Sequence, residues 1–172
     1  MGRKSTKENK SIYQIAREED GLSRAQASEA MPGLSESQIE KIESGKMVPR
    51  PEDILLMADA YKRPDLCNFY CANECPIGKK YVPEVKIKDL PQIVLEVLAA
   101  LNNLNQKKDR LIEITADGVL EDHELKDFVA IQEQLKKVSV SFDALSLWVD
   151  NTVASGKIDE DLLEALQQED NK

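Results

Sequence analysis

Glu36, Ser37, Gln38 and Lys41 lie within six residues of one another, and each side chain can hydrogen-bond the edge of a nucleic-acid base. A lysine ammonium donates to guanine O6 and N7, a glutamine amide pairs with adenine, and a carboxylate accepts from the cytosine amino group. The four fall inside Ser35-Glu-Ser-Gln-Ile-Glu-Lys-Ile-Glu-Ser-Gly-Lys-Met-Val-Pro49. This stretch reads as a helix of about three turns, capped by Ser35 and stopped by Gly45. Ile39 and Ile42 share one face and leave the polar residues pointing elsewhere. From these residues alone, a surface helix with a solvated polar face is an equal reading.

Other residue groups with chemical potential carry less. Cys67, Cys71 and Cys75 are four apart and share one helix face. Metal sites more often use two intervening residues, and two steps of four span about 12 Å, too far for one zinc. Buried thiols are the expectation, with a thiol metal or redox site the alternative. Glu113, Thr115, Asp117, Gly118, Leu120 and Glu124 follow the spacing of a calcium loop, with glutamate in the first position and only a hydroxyl in the third. A turn ended by Gly118 explains the same residues. The only histidine, His123, lies in the acidic run Glu121-Asp-His-Glu124, which reads as a solvated helix start. No Ser/His/Asp set, Gly-rich phosphate loop or paired carboxylates stand out, so neither an enzyme nor a cofactor is expected.

The elements that must position these four residues are short helices. Ser11 to Asp20 forms the first, stopped by Gly21, and Ser23 caps a second that runs to Met31. Pro32-Gly33-Leu34 makes a turn, and Ser35 opens the third helix. Pro51 suits the first turn of a fourth, and a fifth runs from near Asp65 to before Pro76. Residues 77–89, with Gly78 and Pro83, read as an extended linker.

Beyond the linker the spacing lengthens. Leu90, Val94, Val97, Leu101, Leu104 and Leu111 alternate in steps of four and three until Lys108 interrupts. After a break at Asp117-Gly118, Phe128, Ile131, Leu135, Val138, Phe142, Leu145 and Val149 make an unbroken apolar seam with a period of 3.5 residues. Two such helices joined by a turn fold back as an antiparallel hairpin. Leu95, Leu98, Val119, Leu120 and Trp148 leave apolar surface to spare, which a second copy would cover in a homodimer. The amphipathic stretch 159–168 offers closure within one chain instead.

Net charge is −9, yet residues 1–64 balance eleven Lys/Arg against eleven Asp/Glu. The excess of acid lies in 65–172, and phosphate affinity depends on local charge rather than the total. Arg3, Lys4, Lys7 and Lys10 form a basic arm over residues 1–10. No apolar run approaches the roughly 20 residues of a membrane span, and Met1 to Lys10 carries no hydrophobic signal core, so a cytoplasmic address is expected.

Leu22-Ser-Arg-Ala-Gln-Ala-Ser-Glu-Ala-Met31, then Ser35, Ile39, Ile42, Glu43, Gly45, Lys46, Pro49 and Ala58, together resemble the helix-turn-helix family of phage repressor and Cro proteins, often called the XRE family. The resemblance covers roughly residues 11–75. It implies a five-helix repressor-like helix-turn-helix domain over 11–76; with the long antiparallel helical hairpin that the apolar period predicts within 90–172, the expected fold is all-α. It implies that the helix from Ser35 enters the major groove of double-stranded DNA, with Glu36, Ser37, Gln38 and Lys41 toward the bases. Ser23, Arg24 and Lys46 would contact phosphates, and Arg3 and Lys4 would reach a neighbouring groove as an arm. The expected function is a dimeric, sequence-specific DNA-binding regulator. The alternative is a protein-interaction module on a helix-turn-helix-like head that does not bind DNA. The chain departs from the family pattern at Arg24, usually glutamine, at Ala27-Ser28, usually Leu-Ala, at the longer turn Pro32-Gly33, and at Glu36, where an amide is usual.

Overall fold

The computed structural model describes residues 10–170; the basic arm positions Arg3 and Lys4 lie outside them. All regular structure in this range is helical: α1 (Ile12–Glu19), α2 (Arg24–Ala30), α3 (Glu36–Glu43), α4 (Pro51–Ala60), α5 (Asp65–Asn73), α6 (Gly78–Tyr81), α7 (Leu90–Asn105), α8 (Lys108–Thr115), α9 (Leu125–Ala154) and α10 (Glu160–Asp170). No helix among the described residues is long and apolar enough to cross a membrane. The chain divides into two compact units, one of 1–84 with 149–172 and one of 85–148.

In the first unit, α1 to α5 surround a core of Tyr13, Ala16, Ala27, Met31, Leu34, Ile39, Ile42, Ile54, Met57, Ala58, Tyr61, Leu66 and Tyr70. Each short helix is too brief to persist alone, so burial of its apolar face must stabilise it. Local chemistry sets where each begins. Pro51 opens α4, and Asp53 accepts the Arg50 backbone N–H at 3.0 Å while binding its guanidinium at 2.8 and 3.2 Å. Arg63 pairs with buried Asp65 at the start of α5 through two bonds of 2.7 and 2.8 Å, and also reaches Glu19 of α1.

The expected extended linker is partly helical. Residues 78–81 form α6, whose Gly78 rests on the backbone of α5: a Cβ there would overlap the Cys71 carbonyl. The Gly78 N–H donates to Cys75 Sγ at 3.4 Å. The glycine read as a linker residue is thus a close-packing residue, and the chain turns extended only from Val82. The three cysteines are half-buried free thiols against the head core, and burial pushes the Cys67 thiol above its usual range.

In the second unit, contacts run in opposite directions along two arms. Ile93 near the start of α7 packs with Ala144, and Leu145 and Trp148 lie against them. Ala99, Ala100 and Asn103 face Gln134, Lys137 and Ser141 across a cavity of about 420 Å³. Arg110 of α8 pairs with Asp127 of α9 at 2.8 Å. The first arm is two helices, broken at Gln106-Lys107, close to the Lys108 interruption in the apolar series. The turn that joins the arms holds the calcium-like residues in local bonds. Asp117 accepts from the Val119 N–H, Glu124 from the Glu121 N–H, and Glu113 pairs with Arg110. Among the described residues no group of three His, Cys, Asp or Glu is placed to hold a metal ion.

The seven-residue seam of α9 is covered unevenly. Ile131 is buried and Phe128, Val138 and Leu145 are half-buried, but Leu135 and Phe142 are each 45% exposed. Gln134, Ser141 and Trp148 take the sheltered positions beside them, so the covered stripe is rotated by one residue from the apolar one. Val149 belongs to the first unit, with α10. Around a cavity there, Val149, Val153 and Leu163 face Ala58 and Pro64.

Gly78→Ala should cost about 1–3 kcal/mol of head stability, because backbone rather than a yielding side chain occupies the space. Thermal or urea unfolding followed by circular dichroism would measure it. A melting curve identical to the parent protein would contradict the packing role.

Candidate nucleic-acid interface

Two reciprocal caps place the helices of the central pair. At α2 the Ser23 hydroxyl accepts the Gln26 N–H at 3.2 Å, and Gln26 Oε1 accepts the Ser23 N–H at 2.9 Å. At α3 the Ser35 hydroxyl accepts the Gln38 N–H at 3.3 Å, while Gln38 Oε1 accepts the Ser35 N–H at 2.9 Å and its hydroxyl at 2.8 Å. Each cap satisfies donors that a helix start otherwise leaves bare.

Three features hold the turn between them. Gly33 adopts a φ of +101°, which side chains with a Cβ avoid. Met31 and Leu34 are buried on either side. Ser28 donates its hydroxyl to the Leu34 carbonyl at 2.9 Å, tying the turn back to α2. The Ser28 bond therefore spans the turn and links α2 to the residue just before the Ser35 cap.

The end of α3 closes on Gly45 at a φ of +70°, with the Lys46 N–H bonded to the Lys41 carbonyl at 2.8 Å and the Gly45 N–H to Ile42 at 3.0 Å. Ile39 and Ile42 point into the core. Beside them Glu43, whose side chain is 1% exposed, binds two arginines. Arg17 of α1 meets its Oε1 at 2.5 Å and its Oε2 at 3.1 Å, and Arg24 of α2 donates Nε to Oε2 at 2.8 Å. Arg17 Nη1 also donates to the Leu22 carbonyl at 2.6 Å, just before the α2 cap. One carboxylate thus joins α1, α2 and α3. Burial works against the Arg17 charge, but the Glu43 bond and charge outweigh it, so Arg17 holds its proton more tightly than usual. Tyr61 lies against the same cluster; burial and the nearby Glu43 charge push its hydroxyl well above the usual tyrosine range.

The residues expected to face bases divide into two groups. Glu36, Ser37 and Lys41 are exposed on α3, together with Glu40. Gln38 is half-buried and its carbonyl oxygen serves the cap, which leaves its Nε2 amide group for other partners. Pairing with adenine through both amide atoms would break that cap. Among the residues expected at phosphates, Lys46 is exposed, Ser23 is a cap acceptor, and Arg24 is half-buried with Nε committed to Glu43. The Arg17–Glu43–Arg24 cluster is the feature that sequence reading missed. Its signal was a glutamate directly after the second inward isoleucine, where a solvated residue would fit as well.

Residues 14–66 match a family model described as a helix-turn-helix domain. The matched stretch begins in α1 and ends in α5, and includes both capped helices, the turn and the Glu43 cluster. No curated protein and no solved structure matches the chain.

The Tyr61 hydroxyl is buried with no hydrogen-bond partner among the described residues. Tyr61→Phe should therefore raise head stability by about 1 kcal/mol, since it removes an unsatisfied polar atom and keeps the ring. Urea midpoints compared at equal slope would read it. A clear loss of stability would mean that the hydroxyl contributes favourably to the cluster.

Proposed function

We propose that the chain is a DNA-binding regulator that docks α3 in the major groove and acts as a dimer. The observation that carries the reading is the setting of α3. It is capped at Ser35, anchored by Ile39, Ile42 and Glu43, and it presents Glu36, Ser37 and Lys41 on one free face beside α2. A single helix such as α3 fits the major groove, with its partner α2 lying across the backbone. The match of residues 14–66 to a helix-turn-helix family model supports the same reading. In this account Lys41 reads guanine, Glu36 accepts from cytosine or rejects competing bases, and Ser37 supplies an adaptable contact. Gln38 contributes its Nε2 only. Arg24, Lys46 and Ser23 hold the backbone.

Dimerisation is supported by the half-covered α9 seam. Leu135 and Phe142 stay exposed next to buried neighbours, and Leu95 and Leu98 of α7 are also exposed. A second copy of the same face would cover them, and a symmetric dimer suits paired half-sites. A second reading draws on Glu36 and Glu40, whose charge repels phosphates, and on the net charge of −9: the head docks a protein partner and the acidic helices mediate assembly.

Selection from a random duplex pool, followed by sequencing, separates the two readings. The DNA reading expects one enriched motif. It also expects Lys41→Ala to cost about 1–3 kcal/mol at the base that Lys41 contacts. No enrichment, with Lys41→Ala inert, leaves the protein-interaction module standing. Sedimentation equilibrium tests the assembly independently. The parent protein should be a dimer at micromolar concentration and Phe142→Asp a folded monomer; a parent monomer would remove the dimer from the proposal.

A further inference from the structure

We propose that Glu43 acts as a strut that fixes Arg24 as a bidentate phosphate clamp, offering the edge formed by its two terminal nitrogens. This inference rests on the DNA-binding reading and names a positioning residue for it. Guanidinium is planar and carries five N–H donors. In Arg24 the Nε donor is spent on Glu43 Oε2 at 2.8 Å, which leaves Nη1 and Nη2. That edge is shaped to grip two phosphate oxygens at once.

The strut is itself immobile. Glu43 is buried, and Arg17 of α1 grips both of its oxygens. The Arg24 side chain, by contrast, is 35% exposed, so it leaves the cluster toward solvent. An arginine on a free surface carries rotamer entropy that binding must remove; here the fold has already removed part of it. Charge argues the same way. Two arginines against one carboxylate leave a local excess of one positive charge, fixed beside an α3 face that carries Glu36 and Glu40. The clamp offsets that repulsion next to the reading helix. A lysine at this position would keep the charge but not the function, because one compact ammonium cannot present a planar two-nitrogen edge while bonded to Glu43.

The test uses the full chain and a mixed-sequence DNA duplex, with affinity measured by fluorescence anisotropy across a series of salt concentrations. Arg24→Lys should lose roughly tenfold affinity at low salt, nearly as much as Arg24→Gln, although it retains the charge. For Arg24→Gln the slope of log affinity against log salt should fall by about one, as expected for a lost phosphate contact. Proton–nitrogen NMR of the free protein should show the Arg24 Nε–H protected from exchange. Arg24→Lys binding like the parent, an unchanged salt slope in Arg24→Gln, or an unprotected Nε–H would each overturn the clamp. A parent protein that binds no duplex even at low salt is a distinct result: it removes the DNA reading itself, and the clamp with it.

Discussion

Burying the Glu43 carboxylate is affordable only because Arg17 and Arg24 meet it from two other helices, and the setting of α3 follows from that requirement. Apolar burial of Ile39 and Ile42 contributes more free energy, at about 1.5–3 kcal/mol for each side chain. That term is non-directional, however, and tolerates rotation of a short helix about its axis. A charge with fixed partners does not. Removing one partner of a buried pair costs about 3–5 kcal/mol, so any arrangement of α3 that pulls Glu43 from its arginines is heavily penalised. The face bearing Glu36, Ser37 and Lys41 is exposed because Ile39, Ile42 and Glu43 are held inside.

Around this cluster, local chemistry and tertiary packing divide the work. The reciprocal caps at Ser23 and Ser35 start α2 and α3 and satisfy their first donors. Ser28 and Gly33 hold the turn between these two helices. Gly78 lets α6 pack closely on α5, extending the head past the end of the helix-turn-helix match at residue 66. In the second unit the interactions are more exposed and less directional. Its helices share a narrow buried stripe, and much of the apolar surface of α7 and α9 stays open to water.

What could be read in advance follows the range of the forces involved. Caps, glycine stops and the proline start of α4 act within one turn of helix, so Ser23, Ser35, Gly45 and Pro51 could be placed from their neighbours. The spacing of Ile39 and Ile42 gave their common inward face. The lapse of apolar period at Lys108 still left the first arm reading as one long helix, whereas it is two, α7 and α8, broken at Gln106-Lys107. The partner of Glu43 could not be read this way. Arg17 lies 26 residues away, and a glutamate among polar neighbours looks the same whether it meets solvent or a buried guanidinium. For the same reason Arg24 reads as a free phosphate ligand until α2 folds against α3, and Gln38 reads as a free amide until the cap engages it.

The sequence by itself determined an all-helical chain, the positions of α1 to α5, the turn that separates α2 from α3, and a long helix later on. Those properties follow from backbone propensities, capping and periodicity, which operate over a few residues. Only the tertiary structure decided which polar side chains are occupied and which are exposed. It committed Arg24 Nε and the Gln38 carbonyl to internal bonds, left Glu36, Ser37, Lys41 and Lys46 on the surface, and rotated the covered stripe of α9 away from Leu135 and Phe142. Each of those outcomes depends on groups far apart in the chain, whose pairing is set when the cores exclude water.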